Sequence, residues 1–362
     1  MTGLTQDEAF ARIRLLRSPN VGPVSYYQLL RRFGSAGEAL EALPDLAGRG
    51  GAQYRPAPQR QVEAEVAAVR KAGARYRFHD AADYPPLLAE LESAPPILIV
   101  RGQGELVARP CVAVVGARNA SAAAMKLARE ISADLAGEGY AVVSGLARGI
   151  DGAAHMGALP ATIGVIASGI DIAYPPQHAE LQEEIARTGL LIAEQPPGTE
   201  PRGSHFPIRN RIIAGLALGT VVVEAAPKSG SLITARLAGE YGREVMAIPG
   251  SPLDARSQGC NLLIREGAVL VQSAADVIEL VSGFDGSPRS SFRETAGVTY
   301  DSRDEAQDPA DIAALLTTAP VAVDELIRQS GASPSAVQLA LLELELAGRI
   351  SRHAGGKVSA QA

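Results

Sequence analysis

The sequence predicts an α/β fold: a Rossmann-like, doubly wound, mainly parallel sheet flanked by an N-terminal helical domain and a C-terminal winged-helix domain. Three observations predict it. From residue 110 onward six short apolar runs, "CVAVVGA", "YAVVSG", "TIGVIASG", "LLIAEQ", "TVVVEAA" and "EVMAIPG", alternate with stretches of helical periodicity. Buried β-branched runs separated by helices mark a parallel sheet covered on both faces. Ahead of them apolar residues recur at helical spacing, and behind them a polar stretch without periodicity sets off a second helical block. A chain of 362 residues is long for a single core, so two or three domains are expected.

In order along the chain, residues 1–79 are assigned to the N-terminal domain. "DEAFARIRLLRS" has a helical period, Pro19 and Gly22 interrupt it, and "PVSYYQLLRRFGS" resumes it. Two helices around a short glycine turn have the outline of a helix-hairpin-helix, SAM-like unit. The turn "PNVG" has one glycine where such hairpins usually have two, and both a packing role and a contact with DNA backbone fit. Residues 60–77 are expected as one more amphipathic helix, and "DYPPLLAELESAPPILIVRG" as a linker into a first strand. Residues 80–282 carry the sheet, and 283–308 read as a flexible acidic linker. Residues 309–362 have the winged-helix order of helix, helix, turn, helix and wing. The segment in the recognition-helix position, "SAVQLALLELELAG", holds Glu343 and Glu345 but no Lys or Arg, and only Gln338 offers a base-reading group. Protein contact or packing suits it better than a major groove, while Arg349, Arg352 and Lys357 could let the wing touch phosphate.

Composition narrows the function. The longest apolar stretches fall short of the roughly 20 residues a membrane span needs, and "MTGLTQDEAFARIRLLR" lacks the apolar core of a secretory signal. Cys111 and Cys260 are the only cysteines, which gives neither a disulfide framework nor metal-ligand spacing. A cytoplasmic protein with no membrane contact, no metal and no cofactor is expected. The formal charge of −6 argues against a broadly basic surface, and no domain is strongly basic, so any anion site must be local and focused.

In a doubly wound sheet ligands bind beyond the carboxyl ends of the strands. There the sequence places "GARNAS" with Gly116 and Arg118, "SGLARGIDGAAH" with Ser144, Gly145, Arg148 and Gly149, "ASGID" with Ser168 and Gly169, and "EAAPKSGSLITA" with Lys228, Ser229, Gly230 and Ser231. Glycine admits close approach, and amides at helix N-termini favour anions, so four such loops, three with a cation, point to a phosphate surface. "GARNAS" lacks two of the three glycines of a dinucleotide fingerprint, and "APKSGSLIT" lacks the order of a P-loop, which disfavours NAD and ATP. "FPIRNRIIAG", residues 206–215, adds a ring and two arginines ahead of a greasy run. Single-strand sites pair a cationic groove with an aromatic platform, and Phe206 with Arg209 and Arg211 supplies both parts. Packing of Phe206, and pairing of Arg209 or Arg211 with Glu194 or Glu224, remain open alternatives.

The blocks "VAVVGAR", "VVSGLARGIDGAAH", "GVIASGIDIAYPPQH", "EQPPGTEP", "FPIRNRIIAG", "VVVEAAPKSGSLITA" and "AIPGSPLDARSQGCNLLIREGA" together resemble the DNA-processing protein A (DprA, or Smf) family. The resemblance implies a protein, not an enzyme, that binds single-stranded DNA in natural transformation (competence), shields it and loads RecA recombinase onto it. It also implies a homodimer. By motif match the DNA-facing positions are Arg118, Phe206, Arg209, Asn210 and Arg211 with the Gly145 and Gly230 loops, and the dimer contact falls at Asn261, Ile264 and Leu270. Relatives often carry a lysine three residues before the phenylalanine; here that position is Gly203, and Arg202 beside it could supply the charge. The alternative is a nucleoside-monophosphate phosphoribohydrolase-like enzyme of the same Rossmann variant. Its PGGxGTxxE motif places the catalytic glutamate on Thr234, which leaves Glu224 as a substitute carboxylate, while His155 invites a general-base reading without a motif-like nucleophile or second acid.

Overall fold

The computed structural model describes residues 4–283, 309–353 and 355–361. Capping chemistry sets the first helices. The Thr5 hydroxyl accepts the Glu8 amide at the start of α1 (Gln6–Leu16), a proline opens α2 (Pro23–Phe33), and Ser35 accepts the Glu38 amide at the start of α3 (Ala36–Arg49). The expected helix over 60–77 is shorter than its pattern. α4 (Gln59–Lys71) gives way at Gly73, which takes a φ of +68°, and the chain leaves as β1 (Arg75–Phe78). The basic residues that extended the helical pattern belong to this strand, where Arg75 is exposed and Arg77 is buried and donates to the Gly104 carbonyl.

The main domain then runs α5 (Pro86–Ala89), β2 (Ile97–Gly102), β3 (Cys111–Gly116), α6 (Ala122–Gly137), β4 (Ala141–Ser144), α7 (Ile150–Ala158), β5 (Thr162–Ile166), α8 (Ala179–Thr188) and β6 (Leu190–Ala193). It continues through α9 (His205–Leu216), β7 (Gly219–Val223), α10 (Ser231–Glu240), β8 (Glu244–Ala247), α11 (Gln258–Arg265), β9 (Val269–Leu270) and α12 (Ala274–Ser282). All six apolar runs are strands. They lie in a nine-stranded sheet of order β1-β2-β6-β5-β4-β3-β7-β8-β9, with β1–β2 and β2–β6 antiparallel and the remaining pairs parallel. Alternation along β3 divides the two faces. Ala113 and Val115 join Ile212, Ile213 and Leu216 of α9, whereas Val112 and Val114 join Ile131 and Leu135 of α6 and Ile150 of α7. The sheet is therefore doubly wound, as its β-branched runs require.

One connection decides where a ligand can sit. Strands β3 to β6 step outward in one direction, and the chain then returns across the sheet through α9 to β7 on the other side of β3. Burial of Ile212, Ile213 and Leu216 against Ala113, Val143 and Ile163 holds α9 to that face, and its first turn arrives at the carboxyl ends of the strands.

The described residues form two compact units, 65–283 with the sheet and 4–64 with the C-terminal part. The sheet-bearing unit thus begins ahead of residue 80, because β1 belongs to its sheet. The C-terminal part has α13 (Pro309–Ala314), β10 (Val321–Ala322), α14 (Val323–Ser330), α15 (Pro334–Leu346), β11 (Ile350–His353) and β12 (Lys357–Ala360), the last two pairing as the wing. The linker assigned to 283–308 lies, but for its first residue, outside the described residues. α15, the helix in the recognition position, is buried on all sides. Val337, Ala340, Leu341 and Leu344 fill the winged-helix core, while Leu339, Leu342 and Leu346 pack with Tyr26, Leu29, Leu40 and Leu43 of the N-terminal helices. Gln28 donates to Gln338 (3.0 Å), Asn20 donates to the Leu346 carbonyl (3.0 Å), and Arg49 pairs with Glu343 (3.5 Å). The one base-reading group and both acids of this helix are engaged with residues of the same unit, Glu345 accepting from Arg352 at 2.7 Å.

Candidate nucleic-acid interface

A cavity of about 50 Å3 opens beyond the carboxyl ends of β3, β4 and β5, and its lining includes Arg118, Arg148, Arg209, Phe206, Tyr174 and Gly145. Helical geometry explains how α9 contributes. The "FPIRNR" segment forms the first turns of α9. Phe206, Arg209, Asn210 and Ile213 follow at spacings of three and four and share one face. Arg209 and Arg211 are two positions apart, about 200° around the axis, so they do not face the same cleft.

The consequences differ residue by residue. The Arg118 carbon Cζ lies 5.1 Å from the centroid of the half-buried Phe206 ring, whose other neighbour is the exposed Tyr174 ring at 5.7 Å. Arg118 and Arg148 are exposed, whereas Arg209 is only 7% exposed. Burial pulls the Arg209 guanidinium down to about 10, opposed by the charge of Asp151 and reinforced by Arg118, so it stays charged at neutral pH. Gly145 makes room for it, since a Cβ there would overlap the Arg209 guanidinium. Arg211 instead forms a largely buried ion pair with Glu194 at 2.5 Å, and Asn210 donates to the Gly230 carbonyl at 3.3 Å.

The glycine loops act otherwise than their sequences imply. The amides of Gly145 and Ala147 do not point outward to an anion. They donate to the buried carboxylate of Asp151 (3.2 and 3.4 Å). Burial raises the pKa of Asp151, against the Arg209 charge and these amide bonds. In the first loop the Ser121 amide donates to Glu224 (2.7 Å), and the Ser121 hydroxyl caps α6. Ser144 donates to the Val114 carbonyl. The Ser229 and Ser231 hydroxyls bond each other at 2.8 Å. Lys228 and Arg202 are exposed, and neither lines the cavity. The positive potential of the cleft therefore comes from three guanidiniums rather than from a ring of amides.

The residues weighed for catalysis are engaged in the fold. Glu224 holds the Ser121 amide and faces Arg256 at 3.9 Å. His155 is fully buried, with Nδ1 2.7 Å from the Thr162 hydroxyl; because that hydroxyl donates to the Val142 carbonyl, Nδ1 carries the hydrogen. Burial pushes its pKa down to about 3, with His178 and Arg209 adding to the effect.

Of the positions assigned to a dimer contact, Leu270 is 48% exposed on the edge strand β9 beside the exposed Val269. Ile264 packs against the core, and Asn261 bonds both the amide and the carbonyl of Gly250. Sequence reasoning missed Tyr174 and Asp151. Tyr174 had a readable signal, a scarce aromatic in the loop after a strand; Asp151 had none, because its role follows from the loop geometry.

Comparisons with known proteins agree with the fold. The family model for DNA recombination-mediator protein A matches residues 75–282, that for a DprA-like N-terminal HHH domain residues 6–68, and that for a DprA winged helix domain residues 300–356. The chain is 48% identical over 198 residues to the DNA processing protein DprA of Streptococcus pneumoniae, covering 54% of this chain and 70% of that one. It is 35% identical over 311 residues to Protein Smf of Synechocystis, covering 76% and 77%. Among solved structures, that of the S. pneumoniae DprA aligns with a TM-score of 0.64 at 38% identity over 77% of this chain and 98% of that chain. A Helicobacter pylori DNA processing protein A, described for its single-stranded DNA binding mode, aligns at 0.53 and 28% identity over 58% and 97%.

Proposed function

The chain belongs to the DNA recombination-mediator protein A (DprA) family, and on that premise we propose that it binds single-stranded DNA along the carboxyl edge of its parallel sheet. The observation that carries this reading is the Arg118 guanidinium 5.1 Å from the Phe206 ring at the mouth of a cavity that Arg148 and Arg209 also line. A base stacks on the ring while its flanking phosphates meet Arg118 and Arg148. This is the pairing of platform and groove that sequence-tolerant single-strand sites use. Arg202 and Lys228, exposed on neighbouring loops, extend the track; Asn210, Gly230 and Ser231 shape the loop on its far side.

The strand held there is passed to RecA recombinase, and the setting is the uptake of DNA in natural transformation, in the cytoplasm. The family's description as a recombination mediator and the resemblance of the motifs support this part. A second copy of the chain docks along the edge strand β9, where the exposed Val269 and Leu270 support an apolar contact. The role is one of binding and hand-over without turnover.

Phe206→Leu keeps apolar bulk and removes the ring. It should weaken oligo-dT binding by about 1–3 kcal/mol in fluorescence anisotropy and leave the thermal midpoint close to that of the parent. Equal affinity would assign the ring to packing and remove the platform.

A further inference from the structure

Three arginines around one cavity exceed what a passing phosphodiester needs. An internal phosphate carries one negative charge and must leave room for chain on both sides. The cavity of about 50 Å3 has room for roughly four water-sized groups, enough to take one tetrahedral oxyanion. Its lining also includes Gly145 and the buried Ile166 and Ala167, 3% and 6% exposed. Arg209 stands in its wall, more than nine-tenths buried, with a buried Nε that has no hydrogen-bond partner among the described residues. Against Arg118, Arg148 and Arg209, the neighbouring anion is Asp151, which acts on Arg209 and is itself held by loop amides. The charge left over is about that of a phosphomonoester, which at neutral pH carries roughly −1.5 to −2.

We propose that this cavity seats a terminal phosphomonoester of single-stranded DNA, so that the protein engages a phosphorylated strand end in addition to the interior of the strand. The proposal rests on the single-strand reading above. Arg209 supplies a fixed charge from the wall, Arg148 and Arg118 close on the dianion from the rim, and the Phe206 and Tyr174 rings receive the first base outside. A planar guanidinium binds such a group through paired N–H donors. Only a chain end can present three free phosphate oxygens to these guanidiniums.

The test uses the full chain and three short oligo-dT probes: one with a 5′-phosphate, one with a 3′-phosphate and one with hydroxyls at both ends. One of the phosphorylated probes should bind about tenfold more tightly than the hydroxyl probe, the effect of one added charge-assisted bond. That preference should fall towards unity in Arg148→Ala, an exposed position at which folding is not at issue, and in Arg209→Gln checked for its fold by circular dichroism. Inorganic phosphate should compete away the preference before it competes away the binding. Equal affinity for all three probes would overturn the proposal and leave the single-strand reading standing. Failure of the parent protein to bind even the hydroxyl-ended probe would overturn that reading instead. A preference that survives unchanged in both variants would place the phosphate elsewhere and reject this site.

Discussion

Gly145 and Arg209 show how a single missing side chain makes a site. The guanidinium lies where a Cβ at 145 would be, and Asp151 below it gathers the loop amides. The two nearby arginines then part in role. Arg211→Ala should strand Glu194 in a largely buried pocket and lower stability by about 3 kcal/mol, read by denaturant unfolding. An unaltered unfolding midpoint would show that the pair contributes nothing. His155 gives a pH signature. It is held neutral with a pKa near 3 in the folded state and near 6.5 when unfolded, so the unfolded chain binds more protons between those values. Stability is complete above pH ~6.5 and falls as pH drops through the window, by about 2 kcal/mol at pH 5. His155→Asn should flatten that slope between pH 7 and 5, and an unchanged slope would locate the acid sensitivity elsewhere. At this scale the sequence disclosed residue types but not directions. The cavity positions of Arg118 and Arg148 were legible because loop position and chemistry coincide, and that of Phe206 because a ring at the polar start of a greasy helix stands out. Arg211 was not, since two residues along a helix turn a side chain to the opposite side.

Among the elements, α9 and α15 carry the account. α9 crosses the sheet on a greasy underside and arrives with Phe206 and Arg209 on one face, so a helix that binds the core also positions the ligand site. α15 is a winged-helix third helix whose outer surface is occupied by Leu29, Leu40 and Leu43. Leu342, 2% exposed in that contact, should cost about 2–5 kcal/mol on truncation to alanine, measured on the thermal transition of the unit to which it belongs. A transition at the parent temperature would mean that the contact does not hold in solution. The absence of Lys and Arg from "SAVQLALLELELAG" foretold that this helix meets protein rather than a groove. That the partner is the chain's own N-terminal domain was not readable, because the contact joins segments some three hundred residues apart through leucines that look alike in any pattern. The strand β1 was missed for a related reason: four residues of strand after a helix give too short a period to separate the two.

For the molecule as a whole, a net charge of −6 and a site built from a few exposed arginines make a definite statement about salt. Repulsion from the acidic surface and attraction to a local cluster act at different ranges, and only the cluster survives close approach. The parallel, doubly wound sheet was implicit in the apolar runs, which point to its carboxyl edge as the candidate binding edge, while the strand order and the switch in chain direction at β3 are legible only in the structure. The acids that use up the loop amides became visible only in three dimensions. Oligo-dT affinity as a function of salt, for the parent and for Arg118→Ala, tests the central claim most directly. The account predicts a linear fall of log affinity with log salt, a slope of a few units, and a decrease of that slope by about 0.7 in the variant, the share of one phosphate contact on a single strand, with affinity weakened at every salt concentration. Identical affinity and identical slope in the two proteins would contradict it.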